Sequence, residues 1–166
     1  MATRSPDSGG NAAPPPRLWT AGQANARLPG LEELLPRLKG WVARLREVRV
    51  QQERLTAFWG SEVDAPDHSD HALKLRLDAE WENLTRRLEE AVAGLRAEGI
   101  ELKDLDGGLV DFYALEQGEL VFLCWRLGEP RVDFYHSIDG GFRNRRPLSP
   151  DGSVAPGSPA RARGSL

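Results

Sequence analysis

Apolar positions along the chain change their period once, near residue 99. Leu31, Leu35, Leu38, Val42 and Leu45 recur at steps of four and three, and Leu34 and Trp41 widen the stripe. Arg49 holds the next position due, with Val48 beside it, and Leu55 and Trp59 resume the series. A second series, Leu73, Leu77, Trp81, Leu84, Leu88, Ala91 and Leu95, runs at the same steps. Such spacing places apolar side chains on one face of a helix. Helices are therefore expected over about 31–59 and 70–98, each roughly 43 Å long at 1.5 Å per residue. Ahead of them, Thr20-Ala21-Gly22-Gln23 has the form of a capping box and predicts a short helix over about 21–28. Pro29-Gly30 should interrupt that helix, and Pro36 fits only in a first turn or at a kink. Gly60 is a natural stop, and Gly99 before Ile100 suits a left-handed C-cap. The polar loop at 60–69 is short enough to fold the long helices back as an antiparallel, coiled-coil-like hairpin.

Beyond Gly99 the period becomes two. Segments 100–105, 109–115, 119–127 and 131–138 are rich in β-branched and aromatic residues, with glycine-bearing turns between and after them. Short connections make the neighbours antiparallel, so a meander of three to four strands is expected. In the third segment Val121, Leu123, Trp125 and Leu127 share one face, and Leu120, Phe122 and Cys124 the other. Both faces then need cover. The helices supply one side, leaving the other to a partner or a second copy. The fold class expected is α+β: a single domain over 18–148, helical over 18–99 and a β-meander over 100–148. The ends, 1–17 and 149–166, are rich in Pro, Gly, Ser and Ala and are expected to be disordered tails.

Charge sharpens this division. The net charge of -3 is distributed as +1 over 1–17, -8 over 18–142 and +4 over 143–166, an acidic body with a basic tail. That balance argues against a wholly basic nucleic-acid-binding domain. One cysteine excludes an internal disulfide framework and a cysteine-based zinc site. No apolar run is long enough to span a membrane, and the first residues lack the apolar core of a secretory signal, so a cytoplasmic protein is expected.

Candidate chemistry is sparse. His136 is expected on a strand face with Val132, Phe134 and Ile138, and beside Asp111 or Asp139 it would have the parts of a general base. His68 and His71, with Asp67 and Asp70 around them, have the residue types of a metal site, although Asp67, Ser69 and Asp70 also suit helix N-caps. Cys124, set in an apolar strand, reads as a buried small hydrophobe. Arg143, Arg145 and Arg146 follow the Gly140-Gly141 turn, and with Trp125 they form a candidate anion-binding group. No phosphate-loop or dinucleotide motif is present, and no cofactor is implied.

The order GIELKD, GLVDF, LCWRLGEP, YH and D-GF-R-RPL resembles a bacterial family of uncharacterised proteins, domain of unknown function 2203. Thr20, Ala24-Asn25 and Leu28-Pro29 resemble that family's start, and the likeness spans about 18–148. The family often has Pro where this chain has Tyr113, and Trp where it has Tyr135. The resemblance implies the architecture and no activity. The leading expectation is a non-catalytic protein-interaction or scaffold module, homodimeric through its helices or bound to another protein. Nucleic acid ranks behind a protein partner, and no membrane is expected. The alternatives are an anion, nucleotide or nucleic-acid binder through the 143–146 segment, and a hydrolase-like enzyme using His136 with Asp111 or Asp139.

Overall fold

The computed structural model describes residues 15–116, 118–149 and 152. The tails expected over 1–17 and 149–166 lie almost wholly outside them. Two helices, α1 (Ala21–Trp59) and α2 (His71–Ala97), precede a five-stranded antiparallel sheet. Its strands are β1 (Ile100–Asp104), β2 (Leu109–Glu116), β3 (Glu119–Arg126), β4 (Phe134–Ser137) and a two-residue β5 (Arg146–Pro147), neighbouring in sequence order. A short 3-10 turn, Phe142–Asn144, lies between β4 and β5. No helix among the described residues is long and apolar enough to cross a membrane.

The capping box forms as its residues require: Gln23 N–H donates to the Thr20 hydroxyl, and Thr20 N–H to the Gln23 side chain. The helix it opens does not stop at Pro29-Gly30. In place of a short helix and a separate second one, α1 is a single helix of 39 residues containing both Pro29 and Pro36. The physical reason lies in packing. Leu28, Leu31, Leu35 and Leu38 are all buried on one side, and that shared face outweighs the backbone hydrogen bonds the prolines remove. The helices run in opposite directions, tied by Arg44 to Glu80, Gln52 to Asp78 and Trp59 to Asp70.

The core joins the first half of α1 to one face of the sheet. Trp19, Ala24, Leu28, Leu31, Leu35, Leu38 and Leu95 pack with Ile100, Val110, Phe112, Ala114, Val121, Leu123, Trp125, Val132 and Tyr135. Alternation along β2 and β3 sends these strand residues inward. Trp19 anchors the chain before α1, its indole N–H donating to the Glu98 carbonyl and its backbone N–H to that of Tyr113. Gly99, at φ +74, turns α2 into β1 beneath the backbone of Arg17. The fourth strand is shorter than expected, starting at Phe134. Val132 therefore lies outside it and turns into the helix-side core, away from the face that carries His136.

Candidate functional site

The opposite face of the sheet carries the only buried polar and charged residues among those described, Asp111 and His136. The strand register explains the arrangement. With Glu116 paired to Glu119 across the β2–β3 turn, Asp111 falls directly opposite Cys124, and Cys124 opposite Phe134 on β4. One row further, Tyr113, Phe122 and His136 lie side by side. Asp111, Cys124 and His136 thus meet from three adjacent strands, with one donor atom from each within 4.8 Å of the others. They are exposed by 1%, 0% and 3%.

The hydrogen bonds define the state of this cluster. His136 Nδ1 lies 2.8 Å from the Ser137 carbonyl oxygen. A carbonyl only accepts, so Nδ1 carries a hydrogen. His136 Nε2 faces Asp111 Oδ2 at 3.2 Å. A neutral ring would turn its Nε2 lone pair toward the carboxylate's own lone pairs. A positive charge, a proton or a metal ion, must therefore sit between the two atoms. Asp111 Oδ1 is buried and has no hydrogen-bond partner. Burial pushes the Asp111 carboxyl above the usual carboxylate range, against the lowering effect of His136. Burial, together with the facing carboxyl of Asp111, pushes the Cys124 thiol up to about 12. A thiol so placed is not a ready nucleophile.

Charged side chains border the cluster. The Arg145 guanidinium lies 4.2 Å from the ring centres of both Phe134 and Phe142 and pairs with Glu129 at 2.7 Å. Lys103 lies 4.4 Å over the Phe122 ring and is bonded to Glu101, which also accepts from the Tyr113 hydroxyl. These contacts raise Tyr113 to about 12, through the Glu101 hydrogen bond first and burial second.

The structure sorts the remaining candidates. Asp139 is exposed and takes no part in the cluster, so Asp111 is the carboxylate beside His136. Trp125 does not join the arginines: it is fully buried on the helix side, with its indole N–H donating to the Glu129 carbonyl. Gly140 N–H donates to the Ser137 carbonyl, and the Gly140 carbonyl accepts from Asn144. Arg143 and Arg146 are exposed while Arg145 is held between the two rings, so the segment does not converge with Gly141 into one cradle. His68 Nδ1 accepts from Asp70 N–H, and His71 Nδ1 bonds the Val63 carbonyl. The two rings serve the loop and the start of α2 rather than a shared ion. Asp70 is the N-cap residue by position, yet its side chain accepts from Trp59 and not from the helix. Cys124 is the residue that sequence reasoning set aside. The signal was present: counting back along both strands from the Glu116–Glu119 pair puts Asp111 opposite Cys124.

The fold and the cluster together define an α+β protein with a helix pair on one face of a β-meander and a sealed polar centre on the other. The model of the uncharacterised conserved protein family DUF2203 matches residues 17–148, and the chain belongs to that family. No curated protein and no solved structure matches it.

Proposed function

We propose that the chain is a non-enzymatic interaction module that pairs with a second copy through the outer half of its helix pair. The observation that carries this reading is uncovered apolar surface on that half. The core shared with the sheet takes α1 only as far as Leu38, with Trp41 at its margin. Beyond it Phe58, Leu75 and Val50 are 77%, 53% and 44% exposed. A shallow groove there is lined by Arg49, Gln52, Glu53, Thr56, Ala57 and Trp81. Apolar side chains beside both charges suit a two-fold contact, in which the Arg49–Glu53 pair made within each chain at 2.9 Å is exchanged for one between copies. The sealed position of Asp111, Cys124 and His136 supports the same reading, since general-base catalysis needs a side chain within reach of substrate. A cytoplasmic setting goes with this proposal.

Sedimentation equilibrium of the full chain, from micromolar to near-millimolar concentration, tests it. A dimer is expected, and Val50→Glu with Phe58→Glu should return it to monomer without loss of helical circular dichroism. A monomer throughout the range, or a dimer indifferent to both substitutions, overturns the proposal.

A further inference from the structure

Asp111, Cys124 and His136 remain without a role in that reading, and their geometry is specific. We infer that they form a binding site for one divalent transition-metal ion of the zinc class, held by an Asp111 carboxylate oxygen, Cys124 Sγ and His136 Nε2. Four observations converge on it. The three donor atoms already lie within 4.8 Å of one another. The 3.2 Å between His136 Nε2 and Asp111 Oδ2 is close to the edge of a tetrahedron with metal–ligand bonds of about 2.0–2.1 Å. His136 is oriented as a ligand: its Nδ1–H is engaged by the Ser137 carbonyl, which leaves the Nε2 lone pair directed into the cluster. Asp111 Oδ1 is buried and unpartnered, and a bound cation would satisfy it.

The donor set restricts the ion. One sulfur, one nitrogen and one carboxylate oxygen disfavour magnesium and calcium, which take oxygen, and suit zinc, cobalt or iron in the divalent state. Charge agrees. A carboxylate and a thiolate neutralise a divalent ion, so the buried centre carries no net charge and avoids the desolvation cost of an unpaired one. Three protein donors leave a fourth position for water or another ligand. A single cysteine thus takes part in metal binding once cross-strand register brings a carboxylate and an imidazole to it. The ion would join β2, β3 and β4, so its binding would add directly to the stability of the sheet.

Cobalt substitution tests this on the intact chain. The protein is freed of metal with a chelator, then titrated with Co2+ alone, and in parallel refolded from urea with Co2+ present. One equivalent per chain and a thiolate-to-cobalt charge-transfer band are expected, with competition by Zn2+. Cys124→Ser should abolish the band, and Asp111→Asn should weaken binding at least tenfold. His68→Ala with His71→Ala should change neither. Circular dichroism establishes that each variant is folded, and the band in the unaltered chain is read without any variant. Absence of the band by both routes overturns the inference. So does binding that survives Cys124→Ser and Asp111→Asn, or that disappears in the His68, His71 double variant.

Discussion

Asn25 offers a direct test of how the helix positions the site. Its side-chain oxygen accepts the Val132 N–H at 2.8 Å, and its amide donates to the Ala21 carbonyl at 2.9 Å. Val132 is fully buried and lies four residues before His136, so this bond sets where the chain enters β4. Asn25→Ala leaves a buried backbone N–H without a partner, a loss of about 1–3 kcal/mol. Alanine's better helix propensity returns about 0.5 kcal/mol. A net destabilisation of about 0.5–2.5 kcal/mol is expected, a sizeable part of the roughly 5–15 kcal/mol that holds a typical domain folded. Urea unfolding followed by tryptophan fluorescence should show a lower midpoint and an unchanged slope. Hydrogen exchange should show faster exchange at the Val132 amide. Asn25→Asp keeps an acceptor for Val132 and should lose less than Asn25→Ala. If Asn25→Ala stays within about 0.5 kcal/mol of the parent and the Val132 amide stays protected, the tether does not do what the geometry assigns to it.

Other expectations are equally direct. Gly99→Ala should cost well over the roughly 1–2 kcal/mol of a left-handed residue alone, because its Cβ would strike the Arg17 carbonyl, whereas Gly60→Ala, also at positive φ, meets open space and should show only the backbone part; thermal unfolding compares them. Arg145→Lys keeps the charge beside Glu129 but loses the flat stack between Phe134 and Phe142, and should lower stability by about 1 kcal/mol in the same assay. The Lys74 ammonium holds the Asp78 carboxyl below its ordinary 3.8, with help from Gln52 and against burial. That contribution is complete above pH 3.8 and is lost as the pH falls through the lower folded value, so Asp78→Asn should flatten the acid limb of a stability–pH curve measured by urea unfolding.

Much of this was readable from spacing alone. The two apolar stripes gave the helices, since only one helical face could collect those leucines. Alternation gave both faces of β3, Val121, Leu123 and Trp125 inward and Phe122 and Cys124 outward. The same alternation already placed Trp125 away from the outer face, so grouping it with Arg145 ignored a signal in hand. Pro29-Gly30 misled for a different reason. Local propensity describes an isolated segment, and the burial of Leu28 and Leu31 against the sheet is not local. The pairing of His136 with Asp111 was foreseeable as one of two carboxylate choices. Asp139 was the poorer choice because it follows β4 and stands in solvent. Asn25 appeared only within a family-like segment. Its bond to Val132 spans 107 residues and leaves no trace in any local pattern.

Register is what makes the outer face of the sheet unusual. Across it, the row of Asp111, Cys124 and Phe134 is followed by Tyr113, Phe122 and His136, and then by the cross-strand pair Leu115 and Leu120, with Ile138 one residue past Ser137. Asp111, Cys124 and His136 in the first two rows are buried, while Leu115, Leu120 and Ile138 are exposed, the inverse of ordinary partition. The Arg145 guanidinium lies over Phe134 of the first row and the Lys103 ammonium over Phe122 of the second, each also paired with a carboxylate, Glu129 and Glu101. A slip of β2 by one residue would turn Asp111 into the leucine-rich core against α1 and carry Phe112 out of it. A carboxylate in that core would find no His136 and no cation, at a cost far above that of a misplaced leucine. The buried cluster therefore adds a polar penalty to the apolar one and reinforces a single strand pairing. That reinforcement operates whether a proton or a metal ion holds Asp111 and His136 together, and it accounts for a charged residue in the middle of β2.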